Sequence, residues 1–355
     1  MGVAGLAPSP RRGEGWGEGE RRKLTRRARF SHVHPLTQPS PHGRGLAALL
    51  AFLCLASPVR ADEAFVTSQP ADALNVVDLD TLRVVATIPV HGKPAGIAVT
   101  RDGRRAFVTS PDGRAVSIID AAARKVTARI DVGGGPLGIA VHPSGEAVYV
   151  ADWYGARVVV LEAASGRVTG TVASGLSPSG LAVTPDGRLL LSADRDSNAV
   201  SLIDTASLTR IGEVKVGERP FGVTIDAEGK RAYTANVASN DVSVIDIASR
   251  TVVGTVKVGK RPYAVALARG RAFVTDQYED TVSVFDVASF TPIARIPVGE
   301  YPEGIAASRD GARIYVANWE ANTLSVIDTE TLKVVDEVPV ADGPRAFGEF
   351  IRRTD

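Results

Sequence analysis

Seven carboxylates recur at nearly fixed spacing: Asp78, Asp120, Glu162, Asp204, Asp246, Asp286 and Asp328, separated by 42, 42, 42, 42, 40 and 42 residues. A ring of acids could hold a cation or divide acid and base roles. Their neighbours argue for a plainer use. In "IDTAS" and "IDIAS" the Asp stands where its side chain can accept the N–H groups of a tight turn, so each carboxylate is expected to serve its own hairpin.

Other catalytic sets are missing. From Asp62 onward the chain has two histidines, His91 and His142, at unlike positions in the spacing and outside any HExxH pattern, whereas catalytic zinc wants three protein ligands. No GxSxG elbow precedes a helix. The glycines of "VGGGPLGIA" lead into a strand, and a phosphate cradle needs a helix N-terminus instead. No catalytic residue, metal ligand or cofactor is assigned on these grounds.

A different grouping stands out just after "YVAD/YVAN"-like phrases and just before a recurring proline. The first group holds Trp153, Tyr154, Arg195, Asp196, Gln277, Tyr278, Trp319 and Glu320; the second holds His91, Lys93, Arg219, Lys260, Arg261 and Tyr301. Aromatic and arginine residues gathered on one variable face have the composition of a recognition surface for a protein partner, or of a mouth for a small anionic ligand. The same tryptophans could instead seal gaps between neighbouring units, and both readings stand at this point.

Repetition dictates what positions these residues. The prolines Pro94, Pro136, Pro178, Pro220, Pro262, Pro302 and Pro344 share the spacing of the carboxylates. A 40–45 residue period of short strands is that of a propeller blade. Each unit reads as four strands, a to d: a after the proline, b as "AYVAN", c as "VSVID", and d as a β-branched run such as "TVVGTVKVG". Strand a carries glycine at one position in five units (Gly96, Gly138, Gly180, Gly222, Gly304), as expected where strands crowd an axis. The unit at Gly270 is two residues shorter, which predicts a tightened a–b hairpin.

The chain enters at strands b, c and d, with no strand a, and ends with "RAFGEF" after Pro344. Together these fragments complete one blade. The expected fold is therefore all-β: a seven-bladed β-propeller of four-stranded antiparallel blades, its first blade closed by the C-terminal strand. In such a ring the b–c and d–a connections emerge at one end, placing the two groups of candidate residues on one rim.

Residues 1–61 read differently. They carry ten Lys or Arg against three acids, while residues 62–355 carry 31 against 37. The acidic body is a poor electrostatic match for nucleic acid. "LAALLAFLCLASPVRA" reads as a signal-peptide core with cleavage after Ala61, too short for an ordinary membrane span. The first 35 residues resemble translated non-coding repeat DNA, so translation is expected to start downstream, at Val33 or Leu36. Cys54, the only cysteine, lies in this leader and follows Leu53, against a lipid anchor; the mature chain would have no thiol. The expected organisation is a leader over 1–61 and one propeller over 62–355, exported to the periplasm or exterior of a bacterium without a stable membrane span.

"YVAN", "YVAD" and "YTAN", each followed by a "VSVID"-like strand, resemble the YVTN-type β-propeller repeats of secreted and periplasmic proteins. The family includes proteins associated with quinone-cofactor (PQQ)-dependent catabolism. Regular short loops and the missing catalytic residues favour a non-catalytic binding or scaffold role; the resemblance implies a place as accessory to a periplasmic oxidation pathway. It also leaves room for a channel-mouth enzyme of lactonase or quinoprotein type, or for a heavy-chain-like support subunit of a dehydrogenase. The seven-blade count and the missing paired cysteines stand against direct use of a quinone cofactor.

Overall fold

Each repeat alternates β-branched or aromatic runs with turns whose residues tolerate left-handed backbone, and that alternation produces strands of about six residues. The structure, a computed structural model, describes residues 61–354. The segment expected to be a leader, with the expected signal core and Cys54, falls outside the described residues but for Ala61. Among the described residues seven sheets follow one another in chain order, six of four antiparallel strands and one of five, whose fifth strand is added in parallel. Blade one runs over 63–89, blade two over 96–131, blade three over 136–173, blade four over 178–215, blade five over 220–257, blade six over 262–297 and blade seven over 302–339. Among the described residues the only helical element is a single 3-10 turn, Arg195–Ser197, and no helix is long and apolar enough to cross a membrane.

Strands b and c are buried on both faces, as in Arg231–Asn236 and Asp241–Asp246, whereas the outer strand d, such as Thr251–Lys257, exposes most of its length. Two covered faces explain why strand c is apolar on both sides: each blade is packed between two others. Ring closure is visible in the core. Blade one residues Phe65 and Val76 share one cluster with Tyr315 and Val326 of blade seven and Ile97 and Val108 of blade two. An arginine opening strand b repeats an inter-blade tie: the guanidinium of Arg105 donates to the Ala163 carbonyl at 2.7 Å, and that of Arg271 to Thr329 at 2.7 Å. Arg313 of blade seven makes the same bond to Leu79 of blade one, at 3.5 Å.

The glycine column is explained by contact. A Cβ on Gly138 would lie 1.8 Å from the Ser179 carbonyl oxygen, and one on Gly96 2.1 Å from that of Leu137. Neighbouring inner strands therefore meet backbone to backbone. The short a–b turn of blade six is the two-residue hairpin expected, with Arg269 and Gly270 both at positive φ (48° and 73°).

Closure of blade one differs from expectation in detail. Pro344 bridges Ser68, and Ile351 and Arg352 pair with Ala64 and Glu63, so the C-terminal segment does supply the inner strand. Between those points Phe347–Glu349 leave the blade and pair in parallel with Gly96, Ile97 and Ala98 of blade two. The physical reason is length. In blade three the fifth residue after the proline, Val141, pairs with Val148; in blade one the equivalent partner Ala64 meets Ile351, the seventh. The two extra residues bulge out through Gly348, whose φ of 120° suits only glycine. Arg352 locks the end, donating to Glu63 at 2.6 Å and to the Gly103 carbonyl at 2.7 Å.

This crowding makes an asymmetric prediction. Gly138→Ala should lower stability by about 1–3 kcal/mol or more, because a backbone carbonyl cannot yield as a side chain does. Ala264→Gly, at the same column in blade six, should cost no more than about 1 kcal/mol. Thermal melting of both variants checks the difference; equal losses would show that the axis is not crowded as described.

Candidate functional site

Strand a begins at the d–a loop, and strand b ends beside it, so the two loop types meet at the same end of each blade. The backbone N–H of Trp153 donates to the Gly135 carbonyl at 3.0 Å, that of Gln277 to Arg261 at 3.2 Å, and that of Trp319 to Tyr301 at 2.9 Å. In five of the seven d–a loops a second bond comes from the other side; before Pro136 and Pro178 the equivalent positions are Arg114 and Ala156. The Asx residue before strand c accepts the N–H of the residue before the next proline: Asp72 from Lys93 (2.9 Å), Asn198 from Arg219 (2.8 Å), Asn240 from Arg261 (2.8 Å) and Asp280 from Tyr301 (2.9 Å). Lys93, Arg219, Arg261 and Tyr301 all have positive φ, between 55° and 62°. Such backbone costs on the order of 1 kcal/mol per residue and persists here because two blades hold each loop.

The residue directly after each proline meets its counterparts near the axis. These residues are Ala95, Leu137, Ser179, Phe221, Tyr263, Glu303 and Arg345, all buried. Phe221, Tyr263 and the bulged Phe347 form a closed triangle of rings, with centroids 4.3, 5.1 and 5.3 Å apart. Trp153 leans over it, 6.2 Å from Phe221, and Arg195 lies over the Trp153 ring at 5.5 Å. Aromatic side chains thus fill this part of the mouth.

Beside the triangle is a buried ion pair. Arg345 donates to Glu303 from Nε at 2.6 Å and from Nη2 at 3.1 Å, with both side chains under 5% exposed. Gln277 Nε2 donates to the same carboxylate at 2.9 Å, and Arg261 Nε donates to Gln277 Oε1 at 2.9 Å. Burial lifts the Glu303 carboxyl above the usual carboxylate range, against the pull of Arg345 and Gln277. Arg261 continues outward, donating to the Tyr278 hydroxyl at 2.7 Å and lying over its ring at 4.8 Å. Tyr278, Tyr301 and Trp319 then form a ladder with 5.8 Å steps. One chain of contacts therefore runs from the axis to the solvent-exposed Tyr278.

The candidate residues divide accordingly. Trp153, Arg195, Arg261, Tyr278, Tyr301 and Trp319 are brought into two connected clusters. His91, Lys93, Arg219 and Tyr154 occupy the same rim apart from them. The His91 carbonyl accepts from Arg129 at 2.6 Å, and Lys93 pairs with Asp72 at 3.7 Å. Tyr154 is 66% exposed and lines a cavity of about 480 Å³ with Pro111, Asp112, Arg114 and Gly134. The second histidine, His142, lies in an a–b turn, bonded to Ser144 and the Gly187 carbonyl. The repeated carboxylates do serve their hairpins: Asp78 accepts the Thr81 N–H at 2.7 Å and Asp246 that of Ser249 at 2.7 Å, and the bonds from Ser249 hold the Asp246 pKa below its ordinary value.

Sequence reading passed over Phe221, Tyr263, Glu303, Arg345 and Phe347. The available signal was a break in a column: charge at Glu303 and Arg345 where other units carry Ala, Leu, Ser or an aromatic. It also left the last residue of strand b unexplained. Asn318 there donates to Ser325 at 2.8 Å, and Asn236 to Ser243 at 2.9 Å, tying strand b to strand c. In blade six this position is Asp276, which accepts from Gly259 N–H at 2.9 Å and from Ser283 at 2.7 Å. Burial pushes its pKa up from 3.8 to about 6, those bonds notwithstanding.

The model of the YNCE-like beta-propeller family matches residues 51–144. That match agrees with the YVTN-type repeats. Two solved structures share the propeller fold. One, "Kuenenia stuttgartiensis Hydrazine Synthase", is 22% identical with a TM-score of 0.65, covering 71% of this chain and 88% of that one. The other is a functionally unknown protein from Desulfotomaculum acetoxidans DSM 771, 18% identical with a TM-score of 0.70, covering 82% and 98%. At these identities the likeness is one of fold alone. No curated protein matches the chain.

Two outcomes are expected of the propeller's mouth. Arg345→Met should destabilise it by about 3–5 kcal/mol by stranding the Glu303 charge, and Glu303→Leu with Arg345→Met should restore much of the loss, as melting temperatures would show. Asp276 has a native pKa above its unfolded value, so the folded chain holds the extra proton between about pH 4 and 6. Its contribution is therefore most favourable at low pH and declines as pH rises through about 6. Asp276→Asn should stabilise the chain by up to about 3 kcal/mol at pH 7.5 and by little at pH 4. A pH-independent difference would rule out this assignment.

Proposed function

We propose that the chain is a non-catalytic binding or scaffold protein, exported to the periplasm or exterior of a bacterium, that meets a protein partner through the b–c and d–a rim. The observation that carries this reading is the pair of aromatic and arginine clusters on one rim, the Tyr278–Tyr301–Trp319 ladder being held on loops bonded from both sides. Trp, Tyr and Arg dominate the energetics of protein interfaces, and a rim already fixed in shape loses little conformational freedom on binding. At the opposite end the aromatic contacts are separate pairs, Arg231 over Phe290 and His142 beside Tyr149, and Asp side chains such as Asp246 are engaged in their own turns. Histidines separated at the two ends, and a Glu303 carboxylate occupied by Arg345 and Gln277, favour binding over acid–base work. A role beside a periplasmic oxidation enzyme rests on the family resemblance alone.

The test is affinity capture from a periplasmic extract. Partners recovered with the native protein should fall at least about tenfold with Trp153→Ala or Tyr278→Ala, and persist with Arg188→Ala in an a–b turn at the other end. Equal recovery with all three variants would overturn the rim as the binding face.

A further inference from the structure

The rim is not electrically uniform. On the side of Trp153 the acids are matched: Asp72 lies 3.7 Å from Lys93 and Asp196 2.8 Å from Arg195, while Arg114 and Arg219 have no ion pair among the described residues. On the side of the Tyr278–Tyr301–Trp319 ladder the balance tips. Arg261 is engaged with Gln277 and Tyr278. Glu279 is matched by Arg295 at 2.7 Å and Lys260 at 4.0 Å, and Asp280 holds the Tyr301 N–H. Glu300, Glu320 and Asp342 remain, all exposed and without an ion pair among the described residues. Backbone geometry gathers them on the ladder: the Glu320 N–H donates to the Glu300 carbonyl at 3.2 Å, one residue from the Trp319–Tyr301 bond. Gly343, next to Asp342, packs so closely that an added Cβ would lie 3.1 Å from Trp319 Nε1.

Two aromatic rings bordered by uncompensated carboxylates attract a cation twice over. The rings do so through their quadrupoles, and the acids through charge. Arg261 over Tyr278 already shows the geometry within the protein. A guanidinium or ammonium on a long apolar stem fits such a step, its stem against the rings and its head among the acids. We propose that the Tyr301–Trp319 step receives an exposed lysine or arginine of the protein partner. This deepens the rim reading and rests on it, and it departs from the small anionic ligand considered from sequence, because the charge left over is negative.

Panning a random peptide phage library on the native protein, followed by fluorescence anisotropy on the recovered peptides, tests the inference. Recovered peptides should share a lysine or arginine whose replacement by glutamine weakens binding about tenfold or more. The exposed double variant Glu300→Gln with Glu320→Gln, which leaves the packing of the rings alone, should weaken binding by a similar factor, and added salt should shrink the gap. Peptides lacking a basic residue, or basic peptides that bind the double variant equally well, overturn the proposal. If such peptides still lose binding on Trp153→Ala, the rim reading survives without the cation. If butylammonium displaces the peptide at comparable concentration, the occupant is a small amine and the protein-partner assignment falls. Recovery of no peptide overturns both readings.

Discussion

The tightest constraint in this molecule is the approach of inner strands around one axis. At Gly96, Gly138, Gly180, Gly222 and Gly304 a single added carbon would fall within 2.6 Å of a neighbouring backbone carbonyl. No side chain larger than the methyl groups of Ala264 and Ala346 stands at that level, and neighbouring inner strands there meet largely through main chain. Anything chemically distinctive must sit one residue earlier, at the post-proline positions, or farther out in the loops. The same packing buries both faces of strands b and c, which removes them from contact with any ligand. The surfaces left accessible are the two ends and the outer strands d.

The two ends satisfy their polar groups differently, and that difference gives them different capacities. At the a–b and c–d end an Asx or hydroxyl side chain usually bonds within its own turn, as Asp78 does with Thr81 and Asp102 with Thr100. Bonds between blades at that end run from long side chains to backbone, as from Arg105 to the Ala163 carbonyl and Arg271 to that of Thr329. At the other end they run through the loop backbone itself: Asn240 accepts from the Arg261 N–H, and the Gln277 N–H donates to the Arg261 carbonyl. Five of the seven d–a loops are bridges pinned in this way. A surface made from pinned bridges keeps its shape, which is what a recognition face needs.

Repetition made most of this legible before any coordinates. A period of 42 residues, a glycine column, a shortened unit at Gly270 and the shared end of the two loop types all follow from aligning the chain with itself. What repetition conceals is deviation that occurs once. Phe347 enters the mouth because the last strand has two residues too many, and no other unit shows what those residues do. Glu303 and Arg345 are single departures at a position otherwise apolar or small, and their pairing depends on blade seven and the C-terminal segment being neighbours. Trp153 and Trp319 hold equivalent positions, yet one stacks on Phe221 toward the axis and the other joins a ladder along the rim, because the residue before the proline is Gly135 beside Trp153 and Tyr301 beside Trp319. Position was readable; partner choice was not.

Those single departures also give a nearly sevenfold object a direction. Seven equal mouths would present the same chemistry at every blade and could not orient an asymmetric partner. Here the aromatic triangle involves blades five and six with Phe347, and the ladder runs across blades six and seven. Both sectors lean on the C-terminal segment. Arg345 lies in the residues that close the ring against Thr67 and Ser68, and its guanidinium holds Glu303, which holds Gln277, which orients Arg261 beneath Tyr278. The ring must therefore close before the rim acquires its final arrangement. An open ring would leave Glu303 buried without its counter-charge, so correct closure and a correctly shaped binding face are coupled through one ion pair.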